Sequence, residues 1–315
     1  MRAGTIAIIG RPNVGKSTLL NVLLREHIAI TSHHPQTTRD RIAGILTTQN
    51  AQFVFQDTPG IHTAHSRLGH RMNHVAEGTA SECDVVVFMT DAAKAEVRPD
   101  DRAALAAIPA DKKVVLVISK IDKVAEKARL FEVLAAHGDL RDFAAVVPLS
   151  SKKKDGTDRL LEVLADLLPE GEPLFPADEL SDKPVRFFVA ELVREQILIR
   201  TRMEVPHGIA VTIDQFEEPQ KAKKPVTRIT LTIHVSKESH KGIIIGQGGK
   251  MLATIGTAAR RRAEALLGNQ VHLDVRVRAT PGWFDDAAQL ADLGYGNDEG
   301  KKPKRKRAGT GAAAR

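Results

Sequence analysis

Gly10-Arg11-Pro12-Asn13-Val14-Gly15-Lys16-Ser17 meets the pattern G-x-x-x-x-G-K-[ST] and stands directly after an apolar run, Thr5-Ile6-Ala7-Ile8-Ile9. The run reads as a buried strand and Thr18-Leu19-Leu20-Asn21-Val22-Leu23-Leu24 as the helix that follows, so the loop joins strand to helix. In that setting the loop residues Gly10, Asn13, Val14 and Gly15 turn backbone N–H groups inward around phosphates, with Thr18 at the start of the helix. Lys16 reaches the β- and γ-phosphates, and Ser17 offers a hydroxyl to Mg²⁺.

Further apolar runs follow at Phe53-Val54-Phe55, Val85-Val86-Val87-Phe88-Met89, Val114-Val115-Leu116-Val117-Ile118 and Ala144-Ala145-Val146-Val147, with amphipathic stretches between most of them. That alternation predicts an α/β fold, a mostly parallel sheet covered by helices, whose ligands sit outside the carboxyl ends of the strands. The Phe53 run ends in Asp57-Thr58-Pro59-Gly60. Its carboxylate can hold Mg²⁺ through water, and the Gly60 amide can face a γ-phosphate. The Val114 run ends in Ser119-Lys120-Ile121-Asp122, where Asp122 can accept from the guanine N1–H and amine while the Lys120 stem covers the base. The Ala144 run ends in Pro148-Leu149-Ser150-Ser151-Lys152, which brings a backbone amide near Ser151 to the guanine O6.

The order of phosphate loop, Asp-Thr-Pro-Gly, x-Lys-x-Asp and Ser-x-Lys resembles the translation-factor-like small GTPases. The segment His34-Pro35-Gln36-Thr37-Thr38-Arg39-Asp40-Arg41-Ile42-Ala43-Gly44 is similar to the first switch of the bacterial Era GTPases. The resemblance implies that a threonine here closes onto Mg²⁺ when GTP is bound, Thr38 first and Thr37 in reserve. It also implies that Asn13 helps hold K⁺ beside the phosphates. Lys16, Thr38 and Gly60 are then the catalytic set, and Ser17, Thr38 and Asp57 the metal set.

The chain departs from the family pattern in places. Ser119 replaces the usual asparagine of the guanine-reading motif, which keeps a hydroxyl but loses an amide. Lys152-Lys153-Lys154 adds charge to the loop that follows. Ile61 stands where Ras-like enzymes carry the glutamine that orients water, and an apolar side chain cannot do that job, so intrinsic hydrolysis is expected to be slow. His62 is the neighbouring candidate base.

Prolines and acids from Pro169 to Pro184 mark a linker. Beyond it come a helical stretch, Val185 to Ile199, strands at Ile209–Ile213, Ile229–Ile233 and Val271–Val277, and a loop with Lys221, Lys223 and Lys224. Between the last two strands, Lys241-Gly242-Ile243-Ile244-Ile245-Gly246-Gln247-Gly248-Gly249-Lys250 holds a G-x-x-G loop of the kind a KH domain uses to clamp about four nucleotides of single-stranded RNA. Lys241, Ile245, Gly246, Gln247, Gly248, Gly249 and Lys250 are the RNA-binding candidates, and the element order resembles the type II KH fold. Pro281-Gly282-Trp283-Phe284-Asp285-Asp286 and Leu290–Tyr295 also resemble the Era C-terminal signature, with Trp283 expected to pack against the domain rather than to stack on a base.

The expected organisation is a P-loop GTPase domain at 1–169, a linker at 170–184, a smaller α+β type II KH domain at 185–296 and a disordered basic tail at 297–315. Residues 1–183 hold 23 Lys and Arg against 25 Asp and Glu, whereas residues 184–315 hold 23 against 14, so the excess cations belong to the second half. That asymmetry points to a polyanion, RNA before acidic lipid. No apolar run reaches the roughly 18 residues that span a bilayer, and the expected location is the cytoplasm. The single cysteine, Cys83, reads as a packing residue. The Era resemblance implies GTP as substrate, GDP as product, Mg²⁺, the 3′ end of small-subunit ribosomal RNA as partner, small-subunit maturation as role and peripheral membrane contact; the expected state is a monomer. Two other readings stay open from the residues: an RNA-binding assembly chaperone with a vestigial nucleotide site, and a GTPase acting on another RNA.

Overall fold

Alternation along the first strand sets the two cores of the N-terminal half. In β1 (Arg2–Ile9), Ile6 and Ile8 enter one core while Ala7 and Ile9 enter the other, as successive side chains of a strand point to opposite faces. The computed structural model describes residues 1–93, 96–124, 127–201, 205–219 and 225–296. The cations Lys221, Lys223 and Lys224 and the basic tail from Lys301 lie outside them.

From β1 the chain runs through α1 (Lys16–Leu24), β2 (Ile42–Thr47), β3 (Ala51–Asp57), α2 (Arg67–Glu82), β4 (Val85–Asp91), α3 (Pro99–Ala106), β5 (Lys113–Ser119), α4 (Lys127–Gly138), β6 (Ala145–Pro148) and α5 (Thr157–Leu167). The six strands form one sheet in the order β2-β3-β1-β4-β5-β6. Five are parallel, and β2 pairs antiparallel with β3 from Ile42 opposite Asp57 to Thr47 opposite Gln52. The sequence reading did not separate β2 from the switch segment, because Ile42-Ala43-Gly44 continues directly from a polar loop. Connections leave β1 toward β3 on one side and β4 on the other, so the carboxyl end of β1, where the phosphate loop begins, is the point where strand order reverses.

The core under α1 and α5 joins Leu19, Leu20, Leu160 and Leu164 to the sheet; the opposite one joins Ala76, Ala80, Leu105 and Val133. Cys83 is buried in the latter, and burial pushes its thiol up to about 12, so it packs as a small apolar residue. The proline-rich linker crosses the sheet edge. Ile45 donates its N–H to the Leu180 carbonyl, Ser181 donates to the Ala43 carbonyl, and Gln52 accepts from the N–H groups of Leu174 and Phe175. These bonds cover an otherwise open edge strand.

The C-terminal half is α6 (Val185–Arg200), β7 (Ile209–Glu217), β8 (Val226–Val235), α7 (Glu238–Ile245), α8 (Lys250–Leu267), β9 (Gln270–Ala279) and a short α9 (Ala287–Leu290). Its sheet runs β7-β8-β9, with β8 antiparallel to β7 and parallel to β9. The helix-strand-strand-helix-helix-strand order is that of a type II KH domain. Val193 and Ile197 of α6, Ile244 of α7 and Ile255 and Ala259 of α8 close over Leu231, Ile233 and Val235.

Candidate active site and nucleic-acid interface

The three expected metal ligands converge. Ser17 donates to Asp57 Oδ2 at 2.7 Å, Thr38 reaches the same oxygen at 3.3 Å, and the two hydroxyls lie 2.9 Å apart. Thr37 turns away instead, with its hydroxyl against Ser32 and the His34 carbonyl, so of the two threonines only Thr38 faces the site. Asp57 is fully buried, and its Oδ1 has no hydrogen-bond partner among the described residues. A buried carboxylate oxygen left without a partner, beside two hydroxyls, is a donor set that a small hard cation completes, so these residues fit Mg²⁺.

Lys16 is buried next to them and donates from Nζ to the Gly10 and Arg11 carbonyls at 3.0 and 3.1 Å. Burial pulls its ammonium down to about 8, Asp57 pulls it back up, and Arg11 adds to the fall. A phosphate drawn to this ammonium would favour its charged form and raise the pKa again. Gly60 closes the site from the other side: a Cβ there would lie 2.6 Å from the Pro12 nitrogen, so the two loops meet backbone to backbone. Thr58 donates to the Ile8 carbonyl, fixing the turn, with Pro59 between it and Gly60. Ile61 is buried in the core, which removes it from any catalytic role. His62 is pinned by the Gly60 carbonyl at Nδ1 and by Gln36 at Nε2, so both ring nitrogens are engaged.

The loop that ends β5 leans on the phosphate loop. Ser119 donates to the Val14 carbonyl at 2.9 Å, and Lys120 donates to the Asn13 carbonyl at 2.7 Å. The serine that replaces asparagine therefore keeps the tie between the two loops. Asp122 accepts from Ser150 at 2.6 Å, a bond that holds its carboxylate below the usual range. Ser151 and the exposed Lys152 follow in the same turn, where the Lys153 N–H donates to Ser150. Asn13 donates to the His33 carbonyl at 2.9 Å and so reaches the first switch. Gly15 and Thr18 flank Lys16 and Ser17 at the start of α1.

In the second half Gly246 ends α7 and Gly249 begins α8, with Gln247–Gly249 as a single tight turn. Gly248 (φ 59°) and Gly249 (φ 77°) hold left-handed backbone that favours glycine, and both have open space around them. Gln247, Gly248 and Lys250 are exposed, Ile245 is half-buried, and Lys241 pairs with Glu238 at 3.3 Å.

Arg194, Glu195 and Arg39, which join the halves, have no role in the sequence reading. Arg194 of α6 donates to the Thr37 carbonyl at 2.5 Å, and its neighbour Glu195 accepts from the Thr31 N–H at 2.9 Å. Glu195 is also bonded to His27 and to Arg262 of α8, the helix that starts at the G-x-x-G loop. Arg39 donates to the Ile209 carbonyl and lies over the rings of Trp283 and Tyr295, at 5.5 and 5.9 Å from their centroids. Leu68 and Met72 of α2 pack with Ala210, Trp283, Leu290 and Tyr295. Arg194 and Glu195 do not stand out in the sequence, because the same helical stretch also carries Arg186, Glu191, Gln196 and Arg200.

Residues 5–120 match a family described as 50S ribosome-binding GTPase, and residues 204–284 match the KH domain family. GTPase Era of Geotalea daltonii is 45% identical over 293 residues, covering 93% of this chain and 97% of the relative. GTPase Era of Trichlorobacter lovleyi is 43% identical over 296 residues, covering 93% and 98%. Among solved structures, Era in complex with MgGDPNP and nucleotides 1506–1542 of 16S ribosomal RNA superposes with a TM-score of 0.88 at 39% identity, covering 94% of this chain and 100% of that one. An Aquifex aeolicus Era variant bound to GDP·AlF4⁻ gives 0.87 at 38% identity, with the same coverage. Among the described residues no helix is long and apolar enough to cross a membrane.

Proposed function

The chain belongs to the Era family of GTPases, and on that premise we propose that it hydrolyses GTP with Mg²⁺ and that the bound nucleotide controls how its KH domain engages the 3′ end of small-subunit ribosomal RNA. The observation that carries this is the double attachment of the nucleotide site to the second domain. The first switch is held by Arg194, Glu195 and the Arg39 contacts, and α2, which follows Gly60, packs on Trp283 and Tyr295. Any rearrangement of Thr38 or Gly60 on γ-phosphate loss must be felt by α6 and, through Glu195 and Arg262, by α8.

In this reading Ser17, Thr38 and Asp57 hold Mg²⁺, which neutralises charge on the phosphates when bound. Lys16 and the inward amides of the phosphate loop bind the β- and γ-phosphates, and the Gly60 N–H faces the γ-phosphate. Asp122 and Lys120 select and cover the guanine, with the Ser151 amide at its O6. Because Ile61 is buried and His62 is tied at both nitrogens, hydrolysis rests on positioning and charge rather than on a side-chain base. Small-subunit maturation is the cellular role this assigns. We also propose the division into a GTPase domain at 1–169, a linker at 170–184, a KH domain at 185–296 and a basic tail beyond, the tail adding sequence-independent attraction to RNA. Peripheral contact with an acidic membrane would draw on the same excess of cations.

The RNA arm of the proposal is tested at Gly248, where a Cβ meets nothing within 4 Å. Gly248→Asp is expected to cost about 1–2 kcal/mol of stability for its left-handed backbone and to weaken binding of a 3′-end oligonucleotide at least about tenfold, because a carboxylate then faces the sugar-phosphate chain. Fluorescence anisotropy at fixed salt reads the change. Unaltered affinity would remove the G-x-x-G loop from the interface.

A further inference from the structure

Behind Lys120 the nucleotide site holds three buried charges, Arg11, Asp91 and Asp101, to which neither the phosphate chemistry nor the base recognition assigns a role. Arg11, the second residue of the phosphate loop, pairs through Nη2 with Asp91 at 2.5 Å and lies 3.3 Å through Nε from Asp101. Asp91 ends β4, and its same oxygen is 3.3 Å from Lys120 Nζ. Arg11, Asp91 and Asp101 are all buried, whereas the Lys120 side chain is about one-third exposed at the mouth of the base site. Burying three charges is costly, and replacing such groups with apolar ones is often neutral or stabilising, so stability alone is a weak reason for this cluster.

Geometry supplies another reason. Lys120 opens the guanine-reading turn in left-handed backbone (φ 60°) and covers the base with a flexible stem carrying four rotatable bonds. A stem used as a flat cover must have its far end fixed. Here Nζ is fixed twice, by the Asn13 carbonyl at 2.7 Å and by Asp91. Asp91 is in turn fixed by Arg11 and accepts the Ala93 N–H at 3.2 Å. Burial works to raise the Asp91 carboxyl, but Arg11 and Lys120 outweigh it and hold the group ionised. Ser119 ties the same two loops through its bond to the Val14 carbonyl, so Lys120 and Ser119 together hold the base-side turn against the phosphate loop.

We propose that Asp91 is a positioning residue for guanine-nucleotide binding: held by Arg11, it anchors the Lys120 amine and so keeps the lysine stem stretched across the base. The anchor acts on the whole guanine nucleotide, GDP and GTP alike, since it lies at the base end of the site. Loss of the anchor lets the stem swing and the nucleotide leave faster.

Asp91→Asn keeps the size of the side chain and removes its charge. The full chain is expected to bind a fluorescent GDP about tenfold more weakly, mainly through faster dissociation, with most of the loss absent when Lys120→Ala is already present. A purely structural Asp91 would instead weaken binding by the same factor in both backgrounds, and that additivity would overturn the proposal, as would unchanged affinity in the single variant. Lys120→Met supplies an independent reading at a partly exposed site should Asp91→Asn not fold. It keeps the stem and removes the amine, so it is expected to be nearly as weak as Lys120→Ala. Affinity close to the unaltered protein would show that the stem needs no anchor and would contradict the assignment.

Discussion

Replacing Lys16 with alanine is expected to lower kcat/KM for GTP by at least a factor of about a hundred while leaving the fold intact. The ammonium is buried in the loop that receives the phosphates, and two carbonyls of that loop hold it there. A preorganised charge of this kind stabilises the charge that develops on the transferring phosphoryl group, and deleting one such donor typically costs a hundredfold or more. The methylenes lost are few, and the ammonium's departure relieves a desolvation cost that already pulls its pKa to about 8, so stability should hold or rise. Phosphate release measured beside a circular dichroism melt separates the two effects. Turnover within threefold of the unaltered protein would contradict the role given to Lys16, whereas a Lys16→Ala variant that loses turnover yet keeps its function in cells would favour the vestigial-site reading.

The largest structural loss is expected at Trp283. Its ring is fully buried, stacks on Tyr295 at 5.6 Å, meets Phe284 edge-on and donates from Nε1 to the Gly208 carbonyl. Arg39 covers it from the first domain, and Leu68 and Met72 of α2 share its cluster. Truncation to alanine therefore opens a cavity that two domains must both collapse to fill, and about 3–5 kcal/mol should be lost. The buried Arg39 guanidinium also loses a face. Denaturant unfolding checks the value; a loss under about 1 kcal/mol would mean that the interdomain packing is not a stable feature. Trp283→Phe should recover a large part of it while still lacking the bond to Gly208.

Much of the nucleotide site was legible because its residues sit at strand ends, where chemistry and chain order coincide. Gly10, Asp57, Ser119 and Ser150 each follow an apolar run, and a parallel sheet brings such ends together whatever lies between them. Asp91 ends a run in the same way, yet has no partner in sequence, and its meaning depends on Arg11 lying 80 residues away. The resemblance ranks Thr38 ahead of Thr37, and the coordinates add the local reason: the loop turns Thr38 toward Asp57 and Thr37 toward Ser32 and the His34 carbonyl. The interdomain residues were hidden for a related reason. Arg194 and Glu195 look like solvated helix charges until α6 is placed against the first switch, and both are then buried. Trp283 was legible as a packing residue, but not that its packing reaches across to α2. Strand β2 escaped because a switch and an edge strand share one short stretch.

The central claim is that the γ-phosphate is sensed by the RNA-binding half. The direct measurement is the affinity of the full chain for a labelled oligonucleotide matching the 3′ end of small-subunit ribosomal RNA, with a GTP analogue and with GDP at fixed salt, in the unaltered protein and in Glu195→Gln. The account predicts tighter, sequence-selective binding with the GTP analogue, by a factor of about 5 or more, and a ratio that falls toward one when Glu195 can no longer hold Thr31 and Arg262 as a carboxylate. Equal and non-selective binding in both nucleotide states of the unaltered protein would contradict it.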